Sequence, residues 1–342
     1  MRRRRSKKGK SRARRWLSAL CLAYLVLLTG GGAAVHLIAE SAWLTTVALY
    51  LPQALWGLPL ALLLPAALLL RDRRSGGLCL LASLVVAGPL MGFHAPWPRQ
   101  LPPGTRLRVL AWNIHAGTGG MDRIAGEIRR WQPDVVILTE ARPGARAMRQ
   151  SLAQLFPDWS RSEAEDVFLA SRSPAAAEAA TALPGFPPRA IAQLRLRVNG
   201  RMVTVLGTHF VTAFRGDTLR HRSRRLPDVV RETSAVRLRE AEVARRLAAR
   251  LPGPLILAGD LNTPPRGRIY GRLRTQFQDA FATAGWGWGH TFSSRRPLLR
   301  IDYVLTRGLT PAGCWVGVRG PSDHRPVIAD LILPDKPGPV SP

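Results

Sequence analysis

The chain has 342 residues, room for one or two domains, and a formal charge of +28, with 50 Arg and Lys against 22 Asp and Glu. A surface this basic disfavours cationic partners and suits nucleic acid, phosphorylated small molecules or anionic lipid head groups, although free use of Arg contributes to the excess. Three cysteines, Cys21, Cys79 and Cys314, show no metal-ligand spacing and give no disulfide framework.

Residues 1–15 form a basic tail with ten Arg or Lys and no acid. Trp16 to Val35 then runs for about twenty residues without a charge, which is long enough to span a bilayer. A basic segment before an apolar one is also the pattern of a secretory signal peptide. Two further apolar runs, Ala42 to Leu70 and Leu78 to Phe93, favour a membrane segment over 16–93 with three transmembrane helices. Between the runs, Arg71-Asp72-Arg73-Arg74 is basic, whereas the loop at His36 and Glu40 has neither Lys nor Arg. The positive-inside rule then puts the tail and the Arg71–Arg74 loop in the cytoplasm. The expectation is a multi-pass protein of a bacterial cell membrane, N-terminus cytoplasmic and everything after Phe93 extracytoplasmic. If the shortest, third run does not cross, the soluble part is cytoplasmic instead.

Pro96, Pro98, Pro102 and Pro103 mark a linker over 94–104, and residues 105–333 are the size of one α/β domain. A Pro-rich tail, 334–342, ends the chain. Leu107 to Trp112 alternates like a strand and ends at Asn113. Met121 to Trp131 carries Ile124, Ile128 and Trp131 on one helical face, and Asp134 to Thr139 is a buried strand ending at Glu140. Leu194, Leu196 and Val198 alternate with arginines, Asn199-Gly200 is a hairpin turn, and Met202 to Leu206 returns towards His209. Thr233 to Arg250 is a helix leading into the apolar run Leu255 to Ala258. Ile301 to Leu305 and Pro326 to Leu333 are further strands.

Several of these strands end on, or carry, a residue able to bind metal or phosphate. They are Asn113, Glu140, His209, Asp260 with Asn262, Asp302, and Asp323 with His324. Each alone reads as a cap, an Asx turn, a surface ion pair or a satisfied core histidine. Six such positions in one domain are hard to explain that way, because strand ends on one side of a sheet are where α/β domains gather active sites.

Trp112-Asn113, Leu138-Thr139-Glu140, Gly207-Thr208-His209, Gly259-Asp260-Leu261-Asn262, Arg300-Ile301-Asp302-Tyr303 and Ser322-Asp323-His324-Arg325-Pro326 follow the order of the endonuclease/exonuclease/phosphatase superfamily, which residues 105–333 resemble. The resemblance implies a four-layer α/β sandwich, two mixed β-sheets face to face with helices outside. It also implies divalent-metal-dependent cleavage of phosphoester or phosphoanhydride bonds. Glu140 is then the main ligand of Mg²⁺ or Mn²⁺, with Asn113 beside it and Asp323 completing the site. Asp302 fixes the tautomer of His324, the candidate base or phosphate-binding acid; Asp260 orients or deprotonates water; Asn262 and His209 donate to phosphate oxygens. The resemblance leaves open whether Asp260 or His324 takes the proton.

Relatives acting on DNA place a phosphate-contacting tyrosine between the Glu and His motifs, but no tyrosine lies between Tyr50 and Tyr270 here. The Arg-dense stretch Arg215 to Arg239 either grips an anionic substrate or is a solvated face. Gly285-Trp286-Gly287-Trp288-Gly289-His290 either enters a lipid interface or packs under the sheet. Two function classes result, with a catalytically dead binding module disfavoured by the intact polar set. The first is a phosphohydrolase whose partners are the bilayer and a phosphorylated lipid or other anionic phosphate. It is similar in layout to actinobacterial membrane proteins of this superfamily tied to glycopeptide resistance and cell-wall lipid carriers. The second is an extracytoplasmic nuclease, with nucleic acid the less favoured partner.

Overall fold

The structure, a computed structural model, describes residues 2–142, 144–185, 187–214 and 225–335. It divides into two units, Met1–Phe93 and His94–Pro342. Arg215, Arg220, Arg222 and Arg224 of the Arg-dense stretch, and most of the C-terminal tail, lie outside the described residues.

In the first unit, helix α1 (Arg2–Leu37) contains Gly9–Leu37, which among the described residues is the one helix long and apolar enough to cross a membrane. The expected three transmembrane helices are therefore corrected to one candidate. The second apolar run breaks into α2 (Trp43–Tyr50) and a segment ending in α3 (Leu60–Leu69), bent by 89°. Pro52 disfavours helix at the residue before it, and Leu51 is accordingly extended at φ −65°, ψ 147°. The side chain of Gln53 donates to the carbonyls of Ala48, Leu49 and Leu51 that the break leaves free. The third run makes α4 (Arg73–Val85) and a π-helical turn at Val86–Leu90 holding Pro89, which is short and opens on two arginines. Mean hydropathy counts side chains and misses these backbone interruptions.

Helix α4 packs along α1 in the same direction. Ser18 bonds Asp72 and Ser75, Cys21 lies 3.7 Å from Cys79, Leu28 meets Ala82 and Val86, and Gly32 sits under Leu90. The chain thus finishes this unit near the end of α1 remote from the basic tail.

The second unit holds twelve strands among the described residues, in two mixed six-stranded sheets. The first contains β1 (Gly104–Asn113), β2 (Val135–Thr139), β3 (Ser160–Ala164), β4 (Val167–Ser171), β11 (Thr310–Val316) and β12 (Val327–Pro334), ordered β11-β12-β1-β2-β4-β3. The second contains β5 (Ala175–Leu183), β6 (Arg189–Val198), β7 (Arg201–His209), β8 (Leu255–Asp260), β9 (Gln278–Asp279) and β10 (Asp302–Arg307), ordered β5-β6-β7-β8-β10-β9. Val109, Ile137 and Leu169 of one sheet pack on Leu194, Val205 and Ile256 of the other. At Gly207 the sheets come so close that a Cβ would stand 2.4 Å from Leu169.

Outside the first sheet lie α5 (Met121–Trp131) and α6 (Arg146–Leu155), burying Ile124, Ile128 and Leu152. Outside the second lie α7 (Leu226–Arg250) and α8 (Gly267–Arg274), burying Ala241, Ala244, Ile269 and Leu273; a short helix, α9 (Ala280–Ala284), follows β9. Helix, sheet, sheet, helix is the four-layer order expected.

The pairing places the motifs. Each sheet has one central parallel pair, β1 with β2 and β7 with β8, whose last partners are Asn113↔Thr139 and His209↔Asp260. Antiparallel β10 starts at Asp302 opposite Asp260, and β12 starts just after His324 at Val327 opposite Ala111. All six motifs therefore reach the same rim of the sandwich.

Candidate active site

The rim is built by backbone that only certain residues tolerate. Gly259 has φ 134°, and a Cβ there would lie 2.1 Å from the Thr208 carbonyl, so glycine alone lets β8 close on β7 ahead of Asp260. Glu140 (φ 53°), His115 (φ 47°) and Asn262 (φ 46°) are also left-handed, a strain that clusters at functional sites. Ser322 donates from its hydroxyl to the Asn113 carbonyl (2.6 Å) and accepts from the His324 amide (3.1 Å), while Trp112 Nε1 donates to the His324 carbonyl (3.0 Å). These bonds fix the Asp323-His324 turn against the end of β1.

Asn113 joins the sheets. Its Nδ2 donates to Glu140 Oε1 (3.0 Å) and Asp260 Oδ2 (3.1 Å), and its Oδ1 accepts from the His115 amide (3.0 Å). Asp260 is buried; its Oδ1 accepts from the Asn262 amide (2.8 Å), and its Oδ2 lies 3.6 Å from His209 Nε2 and 3.8 Å from His324 Nε2. Burial, then the neighbouring Asp302 carboxylate, push the Asp260 carboxyl up from its ordinary value.

Asp302 Oδ2 accepts from His324 Nδ1 at 2.8 Å, which leaves Nε2 facing Asp260. Burial opposes charge on this imidazole, but Asp302 and Asp260 outweigh it and carry its pKa up to about 10. The two carboxylates thus favour the protonated form of His324, which lies between them. The Phe292 ring covers it at 4.8 Å.

Three participants had not been singled out from the sequence. His115 Nδ1 stands 3.7 Å from Glu140 Oε2 and 3.4 Å from Asp323 Oδ1. A histidine two residues beyond Asn113 was the available signal. Asp166, at the turn between β3 and β4, accepts from His209 Nδ1 at 2.7 Å and pairs with Arg189. Burial would raise its pKa, but His209 and Arg189 together hold it below the ordinary value. Asp166 lies 43 residues before His209, and no local pattern marks it.

Asp260, Asp302 and His324 offer ligand atoms within 4.8 Å of one another. Two of their atoms are already engaged, Asp302 Oδ2 with His324 and Asp260 Oδ1 with a backbone amide. The donors of Glu140 and Asp323 fit a cation better. Both are carboxylates, partly open to solvent, within 4 Å of one imidazole nitrogen, and hard oxygen donors suit Mg²⁺ or Mn²⁺. Asn113 Oδ1 accepts one hydrogen bond, from the His115 amide, and its second lone pair would be open to such an ion. Asn262 directs its Nδ2 to the Phe210 carbonyl (2.9 Å), which fixes the turn after Asp260.

Carboxylates, an amide and imidazoles gathered on one rim of a paired-sheet sandwich define a phosphoester hydrolase fold. The model of the Endonuclease/Exonuclease/phosphatase family matches residues 110–324, and the chain belongs to this family. Its members hydrolyse phosphoesters, as phosphatases and nucleases, and typically use divalent metals. Among solved structures, the chain resembles an endonuclease/exonuclease/phosphatase from Bacteroides vulgatus (15% identity, TM-score 0.52, covering 66% of this chain and 98% of that one). It also resembles a family protein from Bacteroides thetaiotaomicron (14%, 0.51, 68% and 96%) and a mannosyl-6-phosphatase of the same species (15%, 0.50, 66% and 99%). No curated protein matches.

Proposed function

We propose that the protein is a divalent-metal-dependent phosphohydrolase anchored in a bacterial cell membrane, acting outside the cytoplasm on a lipid-linked phosphate or pyrophosphate. The observation that carries the hydrolase reading is the buried Asp302–His324 pair beside Asp260, at the same rim as Glu140 and Asp323. Glu140, Asp323 and Asn113 would hold Mg²⁺ or Mn²⁺, which supplies charge neutralisation on the phosphate. His324, protonated and aimed by Asp302, donates from Nε2 to a phosphoryl oxygen as charge builds there. Asp260, its basicity raised by burial, orients water and takes its proton. His209, backed by Asp166, donates from Nε2 on the other side of Asp260.

The anchor reading is supported by the apolar helix Gly9–Leu37 behind a basic tail, a pattern a signal sequence shares. With that tail inside, a single crossing puts the catalytic unit outside. The parallel run of α4 along α1 agrees, since it returns the chain to the end remote from the tail. An anchored enzyme works at a raised effective concentration of lipid substrate.

A nuclease is the second reading, favoured by Arg123, Arg295 and Arg319 around a cleft that includes Asp323. The test is turnover by the full chain with Mg²⁺ of a lipid pyrophosphate beside single- and double-stranded oligonucleotides, with His324→Ala as control. Phosphate release from the lipid, lost in the variant, is expected. Cleavage of oligonucleotide alone, with a steep salt dependence, would move the protein to the nucleases.

A further inference from the structure

A groove of roughly 580 Å³ opens beside the site, lined by Phe281, Trp286, Trp288, His290, Trp315 and Arg325 among others. Trp286 and Trp288 both line its wall, on either side of Gly287, whose φ of 93° favours glycine. A Cβ at Gly285 or Gly289 would come within 2.5 Å of the Phe281 ring, so both glycines let this strip lie flat on Phe281. Gly287 exchanges two backbone hydrogen bonds with His94, each 2.8 Å, which fastens the strip. On the opposite wall Trp315 lies over Gly313, where a Cβ would stand 2.5 Å from the indole. Trp286 is 72% exposed, Trp315 44% and Trp288 39%, so three indoles lining one groove are open to solvent.

The groove leads to the reacting groups. Arg325 lines it and follows His324 in sequence; its amide donates to the Thr291 carbonyl, and its guanidinium donates to the Ser294 carbonyl at 2.8 and 3.0 Å. Ser294 in turn lines the neighbouring cleft, of roughly 620 Å³, that contains Arg123, Arg295, Arg319 and Asp323. None of those three guanidiniums has a carboxylate partner among the described residues. An aromatic groove and a cleft holding three arginines against one carboxylate thus approach each other through the Arg325–Ser294 bonds, one residue from His324. Groove and cleft together are complementary to an amphiphile with an anionic head.

We infer that the tryptophan groove binds the hydrocarbon chain of a phosphorylated lipid whose head group lies in the cationic cleft at Asp323; the head-group assignment rests on the phosphohydrolase reading, the chain assignment on the groove.

The test uses the full chain in phosphatidylcholine nanodiscs, as wild type and as Trp286→Ala/Trp288→Ala. Turnover is measured on a sixteen-carbon alkyl pyrophosphate and its four-carbon counterpart. Binding is measured with an unreactive sixteen-carbon alkyl phosphonate carrying a nitroxide on its chain, which quenches nearby indoles. The expected result is a kcat/KM for the long chain at least roughly tenfold lower in the variant, about 1.4 kcal/mol, with the short chain within roughly twofold. Phosphonate affinity should fall by a similar factor. An unchanged chain-length preference and unchanged phosphonate binding would overturn the inference, as would equal losses on both chains. Quenching by nitroxide-labelled phosphatidylcholine that the phosphonate does not displace would also overturn it, making the strip a bilayer contact. If wild type hydrolyses neither pyrophosphate yet binds the phosphonate through the two tryptophans, the phosphohydrolase reading falls and the groove assignment stands.

Discussion

Replacing Asp302 by Asn removes a charge and leaves the shape nearly intact, which isolates what the carboxylate does. His324 rises from 6.5 to about 10 against the opposing effect of burial. That rise is worth roughly 5 kcal/mol in favour of the imidazolium, at about 1.4 kcal/mol per pH unit. Asp302 and Asp260 share it, and Asp302 holds the larger part because it also makes the 2.8 Å hydrogen bond to Nδ1. In Asp302→Asn the imidazole should therefore lose its proton roughly one to two pH units lower. An imidazolium favoured by the fold stabilises it fully below pH 6.5, and that stability is lost as the pH rises through about 10. Wild type should thus lose stability across this window, and Asp302→Asn should lose less. The assay is kcat/KM against pH at saturating Mg²⁺, with the imidazole followed by NMR in metal-free protein. The alkaline limb of the rate should move down in the variant, and its rate at pH 9 should fall roughly 2- to 10-fold further than at pH 6.5. A limb that does not move, or a wild-type His324 titrating near its ordinary value, would refute the assignment of His324 as a standing acid.

Glu140→Gln should abolish the rise in Tm that Mg²⁺ gives the wild type. It should also raise the Mg²⁺ needed for half-maximal activity by more than the roughly 10- to 100-fold typical of losing an outer-shell partner. Asp279 accepts from Arg300 Nη1 at 2.8 and 3.0 Å, both side chains buried, and caps α9 through the amides of Phe281 and Ala282. Asp279→Ala strands the guanidinium at about 3–5 kcal/mol, so calorimetry on the full chain should show the catalytic unit melting roughly 8–16 °C lower. Gly207→Ala drives a methyl against Leu169 and Val167 between the sheets. Overpacking of this kind costs about 1–3 kcal/mol, read as a lower midpoint in urea with an unchanged slope.

The motifs were legible because each is local. A short apolar run ending in a polar residue, such as Leu255 to Asp260 or Val135 to Glu140, names its own strand end, and the fold needs only to bring those ends together. The parts that escaped are those set by partners far away in sequence. Ala175–Leu183 reads Ala-Ala-Ala-Glu-Ala-Ala-Thr-Ala-Leu, a composition with high helix propensity, yet it is a strand because β6 offers it a full antiparallel ladder. Arg300, which opens the Arg300-Ile301-Asp302-Tyr303 motif, pairs with the distant Asp279, and these buried charges could not be told from surface ones by spacing. Asp166 and Arg189 belong to turns and strand starts with no pattern of their own, and they matter only because β4, β6 and β7 converge on His209.

The apolar segment 16–93 shows the reverse case, in which a legible property misled. Twenty-nine residues from Ala42 to Leu70 contain no charge, and hydropathy alone makes them a span. Pro52 lacks the amide that would continue the helix and forces Leu51 out of it, so the run turns by 89°. A polar side chain, Gln53, then satisfies the exposed carbonyls at the bend, which is what lets such a break persist among apolar residues. Gln53→Leu should be worse tolerated than any single leucine-to-alanine change on the exposed face of α3, because it frees three carbonyls with no donor to replace it. Limited proteolysis of the full chain in nanodiscs, cutting at the bend in Gln53→Leu and sparing wild type, is the expected result; equal protection of both would show that the side chain does not hold the bend.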